Sequence, residues 1–340
     1  MTIKDVAEFS GVSVSTVSRA LNDHPDVSDA VRKRVQDAVR TLHYVPNNSA
    51  RDLVRQQTDV IGLVVRGAEN PFFTPVIRAI EHTAACAGYQ MVLHQIRFDE
   101  DELQAAAGLV RSKRLRGLIL LGGRNNYCPE ETAVLGVPFV CCTYTNRFGT
   151  LNLEAYSSVS IDDIMEADRA VQLLLSRGHR RIAVLLDSVA DNSISQLRYQ
   201  GYCEALRNAG IPLDPALVAE TGAFEMEAAF VRMRRLLADG VDFTAVFAIA
   251  DSMAIAALKA LWDAGRRVPE DCSLIAIDGI DISRYSVPTL TTLSQPKEAL
   301  GTKAFEILKS ILDGRETSRH VRMNTTLRPG GTLSSPGMPA

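Results

Sequence analysis

Over residues 1–46 the apolar positions recur at helical spacing, and nothing alternates as a strand would. Ile3, Val6 and Ala7 make one apolar stripe, and Gly11 breaks it. Ser13 stands where a helix N-cap is wanted, ahead of a second stripe of Val17, Ala20 and Leu21. Residues 22–26 (Asn, Asp, His, Pro, Asp) read as a turn. Ser28 caps a third helix with Val31, Val35, Ala38, Val39 and Leu42 on its buried side. Tyr44-Val45-Pro46 closes it, because a residue before proline avoids the helical region. Residues 47–58, NNSARDLVRQQT, are polar around an isolated Leu53-Val54 pair. They read as a linker, or as a helix too short to hold alone in water.

From residue 59 the pattern changes. Short β-rich runs appear at 60–65, 91–95, 118–121, 139–142, 182–186, 245–249 and 274–277, and amphipathic stretches such as 74–87, 164–177, 196–208, 226–238 and 253–264 lie between most of them. Strands alternating with helices predict a parallel, doubly wound sheet. There are more strands than one such sheet usually holds. Two similar halves split near residue 160 are therefore expected, with Ser157–Ile161 and Leu290–Leu293 as segments crossing between them. The resulting division is a helical domain at 1–46, a linker at 47–58, and a core at 59–330. The core's first subdomain takes about 59–160 plus 290–328 and its second about 161–289. Residues 331–340, rich in Pro, Gly and Ser, are expected to be a flexible tail.

Composition narrows this picture. The chain has 340 residues, 46% of them hydrophobic, which suffices for two or three domains with a sizeable core. Its formal net charge of −3 means that any nucleic-acid contact must come from a local surface. The six cysteines form no C-x-x-C pair and no His clusters with them, so they read as small core residues of a reducing compartment rather than zinc ligands. No apolar run approaches the ~18 residues of a membrane helix. Lys4, Asp5 and Glu8 interrupt the N-terminus, so no signal-peptide core is seen, and a soluble cytoplasmic protein is expected.

Helix, glycine turn, helix is the plan of the helix-turn-helix, whose second helix offers its N-terminal residues to the major groove. Here those residues are Ser13, Val14, Ser15 and Thr16, with Arg19 one turn on. Val14 suits a thymine methyl. Ser15 and Thr16 suit bases or phosphates, and Arg19 a guanine edge or a phosphate. The competing reading of Val14 is a core residue, although Val12 and Val17 already cover that face.

The run TIKDVAEFSGVSVSTVSRALN, the VS that opens the third helix, and Y-x-PN-x-x-A-x-x-L follow one another at the spacing of a known headpiece. Over about 57 residues the chain resembles the lactose/galactose-repressor (LacI/GalR) family. The resemblance implies that Thr2, Ser13, Val14, Ser15, Thr16 and Arg19 contact DNA. It also implies that Asn47, Ala50, Arg51 and Leu53 belong to a hinge helix. In that family two hinge helices pair in the minor groove and a leucine wedges between base steps. Leu53 holds that position, and apolar wedges are a known way to kink DNA. Its alternative is packing on the partner's hinge or on the headpiece.

The resemblance continues through IGLVV, NPFF, VSIDD, GHRRIAVL, RYQGYCEAL, FAIADSMAIAALKAL, GRRVPEDCSLIAIDGID and PTLTTLSQP. It implies a periplasmic-binding-protein-like core: two doubly wound subdomains with a ligand cleft between them, lined by Phe72, Phe73, Thr143, Arg198, Phe224, Asp251 and Asp278. Arg198 and Asp278 suit a polyol, and Phe73 and Phe224 its apolar face. Other readings remain for each. Arg198 and Asp278 can pair as a structural bridge, Phe73 can be core, and Asp251 can cap the helix that follows. The family often has Asp-Arg where this chain has Thr143-Tyr144, and Asn-Asp where it has Ala250-Asp251. Two polar groups of a common sugar-binding set are thus missing, pointing to a less usual sugar, a derivative, or another ligand.

An enzyme is the main rival. G-x-S-x-G, H-E-x-x-H, G-x-x-x-x-G-K-[ST] and G-x-G-x-x-G are all absent, and Asp162-Asp163 suit the start of a helix. A transport component would lack the DNA-binding segment. The expectation is a non-enzymatic repressor without cofactor or metal, homodimeric on palindromic operator DNA, and controlled by a small, sugar-like effector. A non-sugar effector, a corepressor or a protein partner is the alternative.

Overall fold

The computed structural model describes every residue except 22, 23, 43, 45–58, 191 and 337–340. It divides into two compact units, Met1–Thr58 and Asp59–Ala340.

The first unit holds α1 (Ile3–Ser10), α2 (Val14–Leu21) and α3 (Asp29–Thr41). Gly11 ends α1 at φ +66°, the left-handed conformation glycine adopts without strain, and its N–H caps the Glu8 carbonyl. Val6, Ala7, Val17, Ala20, Val27, Val35 and Ala38 form the small core, flanked by half-buried Val31, Val39 and Leu42. Ser28 occupies the N-cap of α3 in extended conformation without a side-chain cap bond. Asn47, Ala50, Arg51 and Leu53, with the whole expected hinge at 47–58, lie outside the described residues.

The second unit runs β1 (Val60–Arg66), α4 (Phe73–Cys86), β2 (Gln90–Ile96), α5 (Glu102–Lys113), β3 (Gly117–Leu121), the one-turn α6 (Pro129–Thr132), β4 (Phe139–Cys142) and β5 (Ser157–Ser160). It continues with α7 (Asp163–Leu175), β6 (Ile182–Leu186), α8 (Ile194–Asn208), β7 (Val218–Glu220), α9 (Met226–Ala238), β8 (Ala245–Ala248), α10 (Asp251–Asp263), β9 (Ser273–Asp278), β10 (Thr291–Ser294), α11 (Lys297–Leu312), β11 (His320–Arg322) and β12 (Thr326–Arg328). Two six-stranded sheets result, ordered β11-β5-β4-β3-β1-β2 and β12-β10-β9-β8-β6-β7. All pairings are parallel except β10 with β12. The same winding therefore occurs twice, and each sheet reverses direction beside its first strand. Crevices outside the carboxyl ends of strands open at such reversals.

Two boundaries differ from expectation. Thr291–Ser294 is not a crossing segment but strand β10 of the second sheet, with Thr291 opposite Ile275 and Ser294 opposite Asp278. Residues 326–328 belong to that sheet too. The second subdomain thus reaches Ser294 and regains the chain at β12, leaving α11 and β11 to the first. Ser157–Ser160 is likewise a strand, and the crossing follows it. The tail is also ordered further than expected. Thr332 is fully buried and is tied to the second sheet by hydrogen bonds: the Leu274 N–H donates to its carbonyl (2.8 Å) and its own hydroxyl donates to the Leu274 carbonyl (2.6 Å). Ser334 follows, with His179 Nε2 3.0 Å from its carbonyl.

Cys141, Cys142 and Cys272 are buried core residues as read from the sequence, whereas Cys86 is exposed and Cys128 and Cys203 are half-buried. Among the described residues no helix is long and apolar enough to cross a membrane.

Candidate functional site

Helix α2 turns Val17 and Ala20 inward, which leaves its opening residues outside. Ser13, Val14, Ser15 and Arg19 are exposed and Thr16 is half-buried. Val14, at 40% exposure, is not a core residue. The Ser13 hydroxyl accepts the Thr16 N–H at 3.1 Å, the bond expected of an N-cap, and lies 2.8 Å from the hydroxyls of both Ser15 and Thr16. Three hydroxyls and a valine methyl thus share one exposed helix end. Thr2, at the cap of α1, gives its N–H to the Asp5 carboxylate at 2.7 Å.

In the core, the carboxyl ends of both sheets wall a cavity of about 350 Å³. Phe72, Phe73, Thr143, Arg198, Phe224 and Asp278 all line it. Asp251 does not, and its expected place in the ligand set is corrected. It is fully buried, and its carboxylate accepts the Ile280 N–H (2.9 Å), the Ser283 hydroxyl (2.8 Å) and the Thr292 hydroxyl (2.5 Å). Those bonds fix the loop after β9 and explain how a threonine-rich strand can be core. Nor does Asp251 cap its helix, whose N-cap is Ala250.

Arg198 and Asp278 both pair and face the cavity. The guanidinium sits at 1% exposure, with Nε donating to Asp163 at 2.9 Å and Nη1 reaching Asp278 at 3.4 Å and the Ile249 carbonyl. Burial pushes the Asp163 carboxyl up to about 6 and the Asp278 carboxyl up to about 7, against the pull of Arg198. Burial alone would lower the arginine, but the two carboxylates outweigh it and hold it above its ordinary value. Asp278 also accepts Gln295 Nε2 at 2.8 Å, while Gln295 Oε1, buried in the same wall, has no hydrogen-bond partner. Thr143 stands at φ +75°, a costly conformation for a β-branched residue.

On the first subdomain's side the polar groups turn on one another. The Tyr144 hydroxyl lies 2.9 Å from that of Tyr127, which donates to buried Glu102 at 2.6 Å. A Cβ on Gly123 would run into both tyrosine hydroxyls, so only glycine fits there. Burial raises both tyrosines well above the usual phenol range. Asn146 closes the network, accepting the Tyr127 N–H at 2.6 Å and donating to its carbonyl at 3.0 Å.

Sequence reasoning missed Arg66, Asn70, Phe98 and Gln295, which also line the cavity. The signal was present. Each follows or ends a strand, and reading every strand end as a wall would have found them. Among the described residues no group of His, Cys, Asp or Glu is set to hold a metal ion.

Comparison with known proteins bears on both units. Residues 2–47 match the family described as bacterial regulatory proteins, lacI family, and residues 171–333 match the periplasmic binding protein-like domain. The HTH-type transcriptional regulator MalR of Clostridium butyricum is 37% identical over 96% of this chain and 97% of its own length. The ribose operon repressor of Escherichia coli (strain K12) is 34% identical over 90% of this chain and 92% of its own. Among solved structures, a complex of the transcriptional regulator CelR with cellobiose is similar at a TM-score of 0.72 and 31% identity, covering 98% of this chain and 100% of that one.

Proposed function

The chain belongs to the lacI family of bacterial regulatory proteins, and on that premise we propose that it is a sequence-specific repressor of an operon for carbohydrate uptake or breakdown, released from DNA by a small carbohydrate or carbohydrate derivative. It works by binding alone, without cofactor, in the cytoplasm where its operator lies. The observation that carries this reading is the joining, in one chain, of an exposed hydroxyl-and-arginine helix end with a strand-end cavity floored by Arg198 and Asp278. Ser13, Val14, Ser15, Thr16 and Arg19 read the major groove, with Thr2 on the phosphate backbone. Asn47, Ala50, Arg51 and Leu53 act in the minor groove, Leu53 as the wedge. A single helix-turn-helix spans few base pairs, so a homodimer on a palindrome is the working form.

The test is selection of duplexes from a random library with the full-length protein, followed by titration across salt concentrations. The expected result is a palindromic consensus whose affinity falls steeply with salt, as phosphate contacts release counterions. Recovery of no consensus, or an affinity flat in salt, would sink the proposal. On the selected duplex, Leu53→Ala lowers affinity and reduces bending, and unchanged bending removes the wedge role.

A further inference from the structure

The first subdomain's wall of the cavity carries a cation to which nothing is hydrogen-bonded. Arg66 ends β1 and lines the cavity, with its side chain 11% exposed. Among the described residues its guanidinium makes no hydrogen bond, and its Nε is buried in that state. The nearest carboxylate stands off: Glu102 Oε2 is 3.7 Å from Nε and is likewise without a hydrogen-bond partner. The other Glu102 oxygen is occupied. It accepts the Arg124 N–H at 2.8 Å and the Tyr127 hydroxyl at 2.6 Å, with Arg124 Nε at 3.5 Å. One buried carboxylate therefore serves two guanidinium groups. Arg124 has Asp101 and Glu131 besides, at 3.9 and 3.6 Å, whereas Arg66 has Glu102 alone among the described residues.

From this arrangement we propose that the effector carries an anionic group, a carboxylate or a phosphate ester, and that Arg66 binds it. The inference rests on the cleft being the effector site and adds to it a charge class and the residue that selects it.

Three observations support the assignment. First, a guanidinium offers paired N–H groups in a rigid plane, which match the oxygens of a carboxylate or phosphate two at a time. Left largely out of water with no acceptor, it carries a desolvation cost that an oxyanion in the cavity would offset. Second, the fork is held in place. The guanidinium carbon lies 4.3 Å from the Phe98 ring centroid, a contact that takes up one face of the plane and none of its N–H groups. Third, the neighbouring polar groups on that wall are donors too. Asn70 accepts the Phe72 N–H with its carboxamide oxygen at 3.0 Å, which leaves its NH2 group to donate, and the Thr143 hydroxyl lines the same cavity. The acids around the cavity do not cancel this. Glu69, Asp99 and Glu225 are exposed and screened by water, and Asp99 is already paired with Arg97 at 3.0 Å. Asp278 is held by Arg198 and Gln295.

Isothermal titration of the full-length protein tests this with matched sets. D-glucose, D-galactose and D-ribose are compared with D-gluconate, D-glucuronate, D-galacturonate and D-ribonate, and with the terminal phosphate esters of the same three sugars. The expected result is at least one acid or phosphate binding about tenfold or more tightly than its parent sugar. Which set it comes from says whether the anion is a carboxylate or a phosphate. Arg66→Met, which keeps the stem without the charge, should reduce that advantage to about threefold or less. Glu102→Gln should act in the opposite direction. It removes the charge that competes for Arg66, keeps an oxygen for Tyr127 and the Arg124 N–H, and should raise the advantage by about threefold. Parent sugars binding as tightly as all their acids and phosphates overturn this inference alone. So does an advantage that survives Arg66→Met or falls in Glu102→Gln. Binding by no compound of any set overturns both this inference and the carbohydrate reading beneath it.

Discussion

The two halves of the core share one winding and use their buried polar groups in opposite ways. In the second half a guanidinium stands between two carboxylates, all three nearly inaccessible, with Arg198 and Asp278 facing the cavity. In the first half two tyrosine hydroxyls and one carboxylate bond to one another, Asn146 holds the Tyr127 backbone, and of these four residues only Tyr144 lines the cavity, beside Arg66 and Asn70. The difference follows from charge. Buried ions must be paired, and a pair with its neighbours slightly long, such as Arg198 to Asp278 at 3.4 Å, has capacity to exchange a partner for a ligand. A ladder of neutral hydroxyls holds no charge of its own to exchange and contributes shape. The second half is thus built to grip and the first, Arg66 aside, to mould.

Breaking the charged side should have the largest effect. Arg198→Leu leaves Asp163 and Asp278 buried without their cation, at a cost of about 3–5 kcal/mol, read as a fall in the urea midpoint. A loss below about 1 kcal/mol would mean that the three groups are not acting as an ion cluster. Next comes pH. Both carboxyls are raised when folded, so between their ordinary value near 4 and about 7 the folded state holds protons that the unfolded state has lost. Their contribution is fully present at low pH and is lost as pH rises through about 7, a fall of roughly 4 kcal/mol between pH 5 and pH 8. Asp278→Asn should flatten much of that slope in a series of melting curves, and an unchanged slope would assign it elsewhere. The hydroxyl side should respond less: Tyr127→Phe removes one donor from buried Glu102 and costs about 1–3 kcal/mol in the same denaturation assay. The smallest effect concerns the strained wall between the halves. Thr143→Asn places a residue that tolerates positive φ where a β-branched one sits, and should raise stability by up to about 1 kcal/mol. A melting temperature that falls would show that the threonine's own contacts outweigh its strain.

Much of the fold was readable because apolar runs are self-reporting. Every β-rich run named from the sequence became a strand, and Gly11, Ser13 and Val17 marked the helix-turn-helix by their roles. What escaped was polarity hidden by pairing. Ser157–Ser160 and Thr291–Ser294 fall in stretches that read as crossing segments, yet Ser157 Oγ accepts the Arg319 N–H at 3.0 Å and Thr292 bonds Asp251. A hydroxyl satisfied by a neighbour is as core-compatible as a methyl, and periodicity does not register it. The same effect misled the site. Asp251 had the look of a ligand group, but its acceptor capacity is used within the chain. Phe98 went unread because it follows β2, an edge strand whose residues are mostly exposed.

The order of the strands in the chain has one more consequence, for synthesis. Sheet one takes its last strand from His320–Arg322, and sheet two takes its last strand from Thr326–Arg328. Neither half is therefore complete while some three hundred residues are already outside the ribosome. A nascent core waits with each sheet one strand short, and both strands are added within one short stretch of translation. A chain that stops before residue 320 lacks a strand in each sheet at once, and one that stops between the two strands still lacks the second sheet's edge.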